Sequence, residues 1–217
     1  MSKTKKLFVV SDVHGYLPPL REALGEAGFD RNDASHFFIC CGDLFDLQND
    51  NEALCSFVTG LERKILILGD REEALSQAPD LSDALKTLIR GMKNCCETEK
   101  YLFVHGWIPV ITEKAPEWSP GSKRYSYNPN WRNAGKNDWF LARWQNGMDI
   151  AKRFGITEPG KTIVCGHYHV SWGHAKEGRG PEWGEGAVFE PYRADGILAL
   201  DACTSHSGKV NCIVIED

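Results

Sequence analysis

Five short apolar segments of this chain are each followed, within five residues, by an aspartate or histidine that neighbours a glycine. The first, residues 6–10, is rich in β-forming residues and is followed by Ser11, Asp12, Val13, His14 and Gly15. In an extended chain, side chains two residues apart point to the same side, as those of Asp12 and His14 would. This layout is typical of metal ligands delivered at the carboxyl end of a buried strand, and it constrains the fold more than any other feature.

The same layout recurs four times. Buried strands are predicted at residues 36–41, 64–68, 101–104 and 162–165, and each leads into polar residues beside a glycine that permits a tight turn. The candidate ligands at the five strand ends are Asp12, His14, Asp43, Asp70, His105, His167 and His169. A lone histidine at a strand end is more often a hydrogen-bonded core or surface residue. The recurrence instead indicates a site for borderline divalent cations such as Mn²⁺, Fe²⁺ or Zn²⁺.

Helical patterns alternate with these strands, which is typical of an α/β fold. Helices are predicted at residues 18–28, 51–61, 71–78 and 81–92, and from Asn137 or Asp138 to about Phe154. Further short strands are predicted at residues 188–191, 197–200 and 210–215. The 217 residues, 42% of them hydrophobic, show no internal boundary or repeat, so we expect one domain over residues 1–217 with a sizeable core.

A proline- and tryptophan-rich insertion at about residues 107–137 interrupts the alternation. A segment this long without regular elements inside a compact domain is usually functional. Its aromatic side chains Trp107, Trp118, Tyr127 and Trp131 are interpreted either as walls of a substrate groove or as a small aromatic core beneath the loop. Both interpretations stay open at this point.

The composition of the chain limits the classes of binding partner and the cellular location that we expect. The net charge is −5 and the chain has no Lys/Arg-rich run, so we expect neither a nucleic-acid nor a membrane partner. The apolar runs are too short to span a bilayer, and the basic N-terminus lacks the apolar region of a secretory signal. The eight cysteines show no Cys-x-x-Cys spacing and are interpreted as reduced thiols of a cytoplasmic protein. The oligomeric state is left open.

These motifs resemble the calcineurin-like metallophosphoesterase superfamily, and within it the bacterial and phage relatives of the serine/threonine phosphoprotein phosphatases. The matching motifs, in family order, are Asp12-Val13-His14-Gly15, Gly42-Asp43-Leu44-Phe45-Asp46, Gly69-Asp70-Arg71-Glu72, His105-Gly106 and Gly166-His167-Tyr168-His169. They span most of the chain, and residues 197–216 resemble the closing strands of the family. The resemblance implies a four-layer α/β/β/α sandwich of two mixed sheets with helices outside.

The resemblance also implies a centre of two divalent metal ions, with Mn²⁺ expected ahead of Fe²⁺ or Zn²⁺. Matched motif by motif, the first metal would be held by Asp12, His14 and His169, the bridge between the metals would be Asp43, and the second metal would be held by Asp70, His105 and His167. A pair of cations held in this way can activate a water molecule and clamp the phosphoryl oxygens of a substrate.

Three positions depart from the family's pattern. The third motif normally reads Gly-Asn-His before an acid, whereas this chain has Asp70, which keeps an oxygen ligand, and Arg71. Arg71 replaces the family's candidate for protonating the leaving oxygen; a guanidinium keeps its proton but can bind phosphoryl oxygens in a bidentate manner. Asp46 matches the acid that orients a catalytic group or the attacking water, but Leu47 follows it where the phosphatases carry arginine. Glu72 is interpreted only as an acid that suits a helix N-terminus.

Arg143 lies between the His-Gly and Gly-His motifs, where relatives place an arginine that binds the substrate phosphate. The alternative is a solvated helix arginine packed on Trp139. His174 and His206 lie near glycines and are weaker candidates for residues that contact the metal ligands, the alternative being surface positions.

The resulting prediction is a metal-dependent phosphomonoesterase, most closely a serine/threonine protein phosphatase acting on a phosphoprotein or a small phosphoester. Two alternatives stay open. One is a nucleotide phosphoesterase that cleaves dinucleoside polyphosphates or cyclic nucleotides. The other is a metal-holding binding module in which Arg71 has weakened or abolished turnover.

Overall fold

The computed structural model describes residues 4–49, 51–113 and 123–216. The strands, in chain order, are β1 Lys6–Val10, β2 His36–Cys40, β3 Lys64–Leu66, β4 Cys96–Glu97, β5 Tyr101–Phe103, β6 Ile111–Glu113, β7 Arg124–Ser126, β8 Thr162–Cys165, β9 Tyr192–Ala194, β10 Ile197–Ala199 and β11 Ile213–Glu216. The helices are α1 Leu17–Glu26, α2 Glu52–Thr59, α3 Asp70–Leu75, α4 Asp83–Gly91, α5 Lys136–Arg143, α6 Gly147–Phe154, α7 Val170–Lys176 and α8 Thr204–Ser207. In these ranges, no helix combines the length and the hydropathy that a membrane span requires.

Two mixed sheets form the centre of the fold. The first has the strand order β11-β1-β2-β3, in which β1, β2 and β3 are parallel and β11 is antiparallel to β1. The second has the order β4-β5-β8-β10-β9, in which the three central strands are parallel and the two outer strands are antiparallel to them. Because parallel strands share a direction, the segments that follow them emerge at the same edge of the sheet.

Strand β1 shows why these strands are apolar on both faces. Its side chains alternate, so that Leu7 and Val9 pack against the second sheet while Phe8 and Val10 pack against helices. One apolar core lies between the two sheets, and a further core lies between each sheet and the helices that cover it. The three cores therefore separate four layers. The predicted α/β/β/α sandwich of two mixed sheets is confirmed.

The single helix predicted up to Phe154 is wrong, because the structure divides it into α5 and α6. Asn146 begins the second helix, and its Oδ1 accepts a hydrogen bond from the Asp149 N–H at 3.1 Å. Gly147 allows the new helix to pack on Trp107, since a Cβ atom there would lie 2.9 Å from the Gly106 carbonyl oxygen. The break is therefore set by a tertiary contact.

Two further elements differ from the sequence-based expectation. The strand predicted at residues 188–191 is wrong, since the structure places a strand at Tyr192–Ala194 instead. There Leu198 of β10 pairs with Arg193, so the position of the strand depends on its partner. The helix Val170–Lys176 was not predicted, and it begins directly after the last candidate metal ligand.

The described part of the insertion forms an aromatic core rather than groove walls. Trp107 and Trp131 are buried. The indole N–H of Trp131 donates to Glu158 at 2.8 Å, and the Tyr127 hydroxyl donates to the same carboxylate oxygen at 2.9 Å. The groove-wall interpretation is wrong for Trp107 and Trp131, while Trp118 lies outside the described residues.

Candidate metal centre

The ends of five strands bring six of the seven predicted ligands together in two groups. The groups share one residue and consist of Asp12, His14 and Asp43, and of Asp43, Asp70, His105 and His167. Within each group, one ligand atom per residue lies within 4.8 Å of every other. A carboxylate common to both groups is the arrangement expected of a bridge between two cations.

Strained backbone marks the same turns. Asp12, His14, Asp43 and His167 have φ values of 53°, 50°, 49° and 66°, in the left-handed region that non-glycine residues rarely adopt. Cys203 is another described non-glycine residue with positive φ, and it lines the same cavity. Each such conformation costs on the order of 1 kcal/mol, and residues that adopt it are concentrated at functional sites. The strain therefore coincides with the predicted ligands.

His105 occupies the centre of the second group. Its Nδ1 lies 2.8 Å from the Cys41 carbonyl oxygen, which can only accept a hydrogen bond, so Nδ1 carries a proton. Its Nε2 faces two carboxylates, 3.0 Å from Asp70 Oδ1 and 3.4 Å from Asp43 Oδ1. Burial lowers the pKa of His105, but the charges of Asp43, Asp70 and Asp12 outweigh burial and raise this pKa to about 10. A backbone carbonyl that fixes the ring in this way is typical of metal-binding histidine.

His167 completes the second group. Its Nδ1 lies 2.9 Å from the same Asp70 oxygen that faces His105. Burial raises the pKa of Asp70, yet the hydrogen bonds from the two imidazoles hold this pKa well below its usual range. Asp70 is therefore an anionic oxygen donor between two nitrogen donors.

The first group combines a deeply buried acid with a partly exposed histidine. Asp12 is buried and accepts hydrogen bonds from the His167 backbone N–H at 3.1 Å to each carboxylate oxygen. Burial and the charge of Asp201 raise the pKa of Asp12 well above its usual value. On the other side, His14 Nδ1 lies 3.1 Å from Asp46 Oδ2, so Asp46 holds this ring from outside the group.

The electrostatics of the two groups fit a pair of divalent cations. Burial raises the pKa of Asp43 to about 6, with Asp70 adding to the shift and His105 opposing it. Asp12 and Asp43 are thus carboxylates whose ionisation is opposed by their surroundings. Several buried acids in one place are unfavourable unless positive charge compensates them. Oxygen and imidazole donors in such a mixture suit Mn²⁺, Fe²⁺ or Zn²⁺.

His169 belongs to neither group. Its Nε2 lies 2.9 Å from Glu182 Oε1, and its ring packs against Tyr168 and Trp183, with centroids 5.0 Å and 4.4 Å away. The carboxylate of Glu182 therefore engages this nitrogen in the present arrangement. The sequence contains no signal for this contact, because Glu182 lies in a glycine-rich segment.

Glu72 has a larger role than the helix dipole suggests. Its buried carboxylate accepts three backbone hydrogen bonds, from Asp43 at 3.0 Å, Phe45 at 2.8 Å and Gly69 at 2.9 Å. Burial and the charge of Asp43 raise its pKa to about 7. The dipole-only interpretation is incomplete, because Glu72 ties the turn that carries Asp43 to the turn that carries Asp70.

Asp46 and Arg71 both lie in the wall of a cavity of about 360 Å³, which is also lined by four of the predicted ligands, His14, Asp43, Asp70 and His167. Arg71 Nε lies 3.8 Å from Asp46 Oδ2 and 3.8 Å from Asp70 Oδ2, and 49% of its side chain is exposed. The guanidinium therefore faces the solvent side of the metal centre.

Arg143 is placed elsewhere. Its Nε and Nη2 donate to Glu73 Oε2 at 3.1 and 2.9 Å, and its Nη1 donates to Asn94 Oδ1 at 3.0 Å. The side chain is buried, so the alternative of a solvated helix arginine is wrong, and Arg143 is not among the described residues that line the cavity. His174 bonds the Glu190 carbonyl oxygen, and His206 packs on Trp183, so neither is brought into the two ligand groups.

Asp201 and Trp144 line the cavity but were not predicted as site residues. Asp201 is buried, and its Oδ1 accepts the Cys203 N–H at 2.7 Å. Its sequence signal is an acid just beyond an apolar strand, as at the other strand ends but without an adjacent glycine. Trp144 follows a helix whose end depends on tertiary packing, and the sequence offers no comparable signal for it.

The family model described as calcineurin-like phosphoesterase matches residues 5–171, which include all seven predicted ligands. The chain belongs to this family. Members of the calcineurin-like phosphoesterase family act on phosphoesters, and the family typically binds divalent metals. No curated protein sequence matches the chain significantly.

Solved structures resemble the whole fold. A provisionally assigned diadenosine tetraphosphatase is 15% identical, with a TM-score of 0.58 over 99% of this chain and 95% of that chain. The cold-active protein-tyrosine phosphatase of a psychrophilic Shewanella species is 14% identical, with a TM-score of 0.59 over 99% and 76%. A protein serine/threonine phosphatase from Saccharomyces cerevisiae is 12% identical, with a TM-score of 0.52 over 100% and 81%. At these identities the likeness concerns the fold alone.

Proposed function

We propose that this chain hydrolyses phosphomonoesters at a two-metal centre bridged by Asp43. The observation that carries the proposal is the sharing of Asp43 between two groups of ligand atoms. Asp12 and His14 would complete the first metal position, and Asp70, His105 and His167 the second. His169 would join the first only on release from Glu182. The two cations, which we expect to be Mn²⁺, would supply an activated water and would neutralise the phosphoryl charge.

The chain's own residues would position the substrate around this centre. Arg71 stands half-exposed at the cavity, where its guanidinium can bind two phosphoryl oxygens. Asp46 lies within reach of both Arg71 and His14, so it orients the phosphate-binding group and one ligand together. Since Arg143 is engaged by Glu73, Arg71 is the better candidate for the phosphate-binding arginine.

Phosphoserine and phosphothreonine proteins are the substrates that the motif resemblance favours. A half-exposed arginine beside the metal centre suits a phosphate presented on a protein side chain. The leaving oxygen of such an alkyl ester must be protonated as the P–O bond breaks. Arginine does not donate that proton, so turnover of alkyl esters would rely on another donor, such as solvent.

The test is phosphate release after chelation and reloading with Mn²⁺ or Mg²⁺. The substrates are p-nitrophenyl phosphate, a phosphoserine peptide, a nucleoside monophosphate and a dinucleoside polyphosphate. We expect chelation to abolish activity on the phosphomonoesters and Mn²⁺ to restore it better than Mg²⁺, since imidazole ligands favour Mn²⁺. Activity restricted to the dinucleoside polyphosphate would identify a nucleotide phosphoesterase. A metal-loaded protein that turns over no substrate would instead be a binding module.

A further inference from the structure

Trp144 presents an aromatic surface inside the candidate active site. The residue follows the last turn of α5, lines the metal-centre cavity and has 55% of its surface exposed. Its ring lies edge to face against His167, with the two centroids 5.6 Å apart and the planes at 82°. Because His167 belongs to the second ligand group, the indole stands beside the proposed second metal position.

The surroundings of Trp144 in this cavity are polar. The other described lining residues carry carboxylate, imidazole, amide, guanidinium, hydroxyl or thiol groups, and apart from the histidines only Tyr16 adds a second ring to this lining. A phosphoryl group would be drawn to the ligands and Arg71. An aromatic ring carried by the substrate would find its largest complementary surface on Trp144.

The backbone at the end of α5 is packed directly on the turn that carries His105. The Trp107 N–H donates to the Ala142 carbonyl oxygen at 2.9 Å. Gly106 permits this approach, since a Cβ atom there would lie only 2.6 Å from the same oxygen. The position of Trp144 is thereby fixed relative to the second ligand group.

Arg143 fixes the end of α5 from the other side. Its buried guanidinium binds Glu73, which lies on the helix that carries Asp70 and Arg71. It also reaches Asn94. The backbone that carries the indole is therefore held between two elements of the metal centre, and the indole itself contacts His167. A binding surface that is held in place in advance loses little conformational entropy when it binds a flat ring.

The chemistry of the leaving group also favours a substrate with an aromatic ring. In hydrolysis, water attacks phosphorus and the P–O ester bond breaks, so that its electron pair leaves with the ester oxygen. An aryloxide accommodates that charge, because a phenol ionises with a pKa of about 10. An alkoxide needs a proton, and Arg71 does not supply it. Arg71 and Trp144 thus favour the same kind of ester independently.

We infer that the substrate is a monoaryl phosphate and that Trp144 binds its ring. This inference rests on the proposed phosphomonoesterase activity and ranks phosphoserine and phosphothreonine behind aryl esters. The ring can come from phosphotyrosine in a protein or from a small phenolic phosphate, since both present the same group to the cavity.

The test measures binding of two unreactive analogues, phenylphosphonate and methylphosphonate, to the Mn²⁺-loaded protein by titration calorimetry. An aromatic pair contributes about 0.5–1.5 kcal/mol, so phenylphosphonate should bind about twofold to tenfold more tightly. Trp144→Ala should reduce this ratio to about one, and Trp144→Phe should retain most of it. Phe140→Ala, which removes an exposed ring on the same helix outside the cavity lining, should leave the ratio unchanged.

Inorganic phosphate separates this inference from the proposed function. Phosphate should bind wild type and Trp144→Ala with the same affinity, because its contacts do not involve the ring. If phosphate binds but the two phosphonates bind equally well to wild type, or keep their ratio in Trp144→Ala, the aromatic preference is overturned and the metal centre stands. Failure of phosphate itself to bind overturns both.

The source of the ring follows from kcat/KM for phenyl phosphate and for a phosphotyrosine peptide. A higher value for the peptide identifies a protein-borne substrate, and a higher value for phenyl phosphate identifies a small one. For the preferred substrate, Trp144→Ala should lower kcat/KM by about twofold to tenfold, chiefly through KM. An unchanged kcat/KM for both substrates in this variant contradicts the inference.

Discussion

At the residue scale, Arg71 departs most from the family's chemistry. Its guanidinium lies 3.8 Å from both Asp46 and Asp70 and is half-exposed. Ion pairs at such exposure contribute little to stability, so the side chain is free to exchange these acids for a phosphoryl group. What Arg71 cannot do is protonate the leaving oxygen. Arg71 can therefore bind the phosphoryl group without protonating the leaving oxygen, whereas a histidine at this position could donate that proton.

Replacing Arg71 by histidine should change the ratio of two activities. General acid catalysis is worth about 10²–10⁴-fold for a poor leaving group and little for p-nitrophenolate. Arg71→His should therefore raise kcat/KM for a phosphoserine peptide relative to p-nitrophenyl phosphate, by up to about 10²-fold. Arg71→Lys, which keeps the charge but loses the bidentate fork, should lower both values in similar proportion. Equal changes for the two substrates in the histidine variant would show that position 71 does not face the leaving oxygen.

At the element scale, the turns after the strands are organised by buried contacts that cross between elements. Glu72 at the start of α3 accepts backbone hydrogen bonds from the turn after β2 and from Gly69. The sequence predicted the strands and the acids of these turns, because the signals are local. It did not predict the function of Glu72, because two of its three partners, Phe45 and Asp43, are separated from it by 27 and 29 residues.

Glu72→Gln should destabilise the fold by about 1–3 kcal/mol. A carboxylate accepts hydrogen bonds through both oxygens, whereas an amide presents an NH₂ group to at least one of the three backbone donors and leaves it unsatisfied. Urea unfolding of the two metal-free proteins measures the difference. Glu22→Gln, on the exposed face of α1, is the matched control and should lie within about 0.5 kcal/mol of wild type. Equal stability of the Glu72 and Glu22 variants would show that these hydrogen bonds contribute little.

At the scale of the whole molecule, the sandwich brings together turns that are far apart in the chain. Asp12 and His167, which are 155 residues apart, meet because β1 and β8 lie in the two facing sheets. The sequence predicted this convergence through repeated strand-end motifs and family resemblance. It did not predict Trp144, whose position depends on the break between α5 and α6. Nor did it predict the contact of His169 with Glu182, which arises only when a glycine-rich segment folds back.

The central claim is that Asp43 bridges two metal positions, and the metal content of Asp43→Asn tests it most directly. A neutral amide holds two cations poorly, so elemental analysis after Mn²⁺ loading should find about two ions per wild-type chain and one or fewer per variant chain. Asp70→Asn, which changes one ligand of one position to the residue usual in the family, should retain both ions. Full metal content and near-normal turnover of p-nitrophenyl phosphate in Asp43→Asn would contradict the bridge and, with it, the two-metal account.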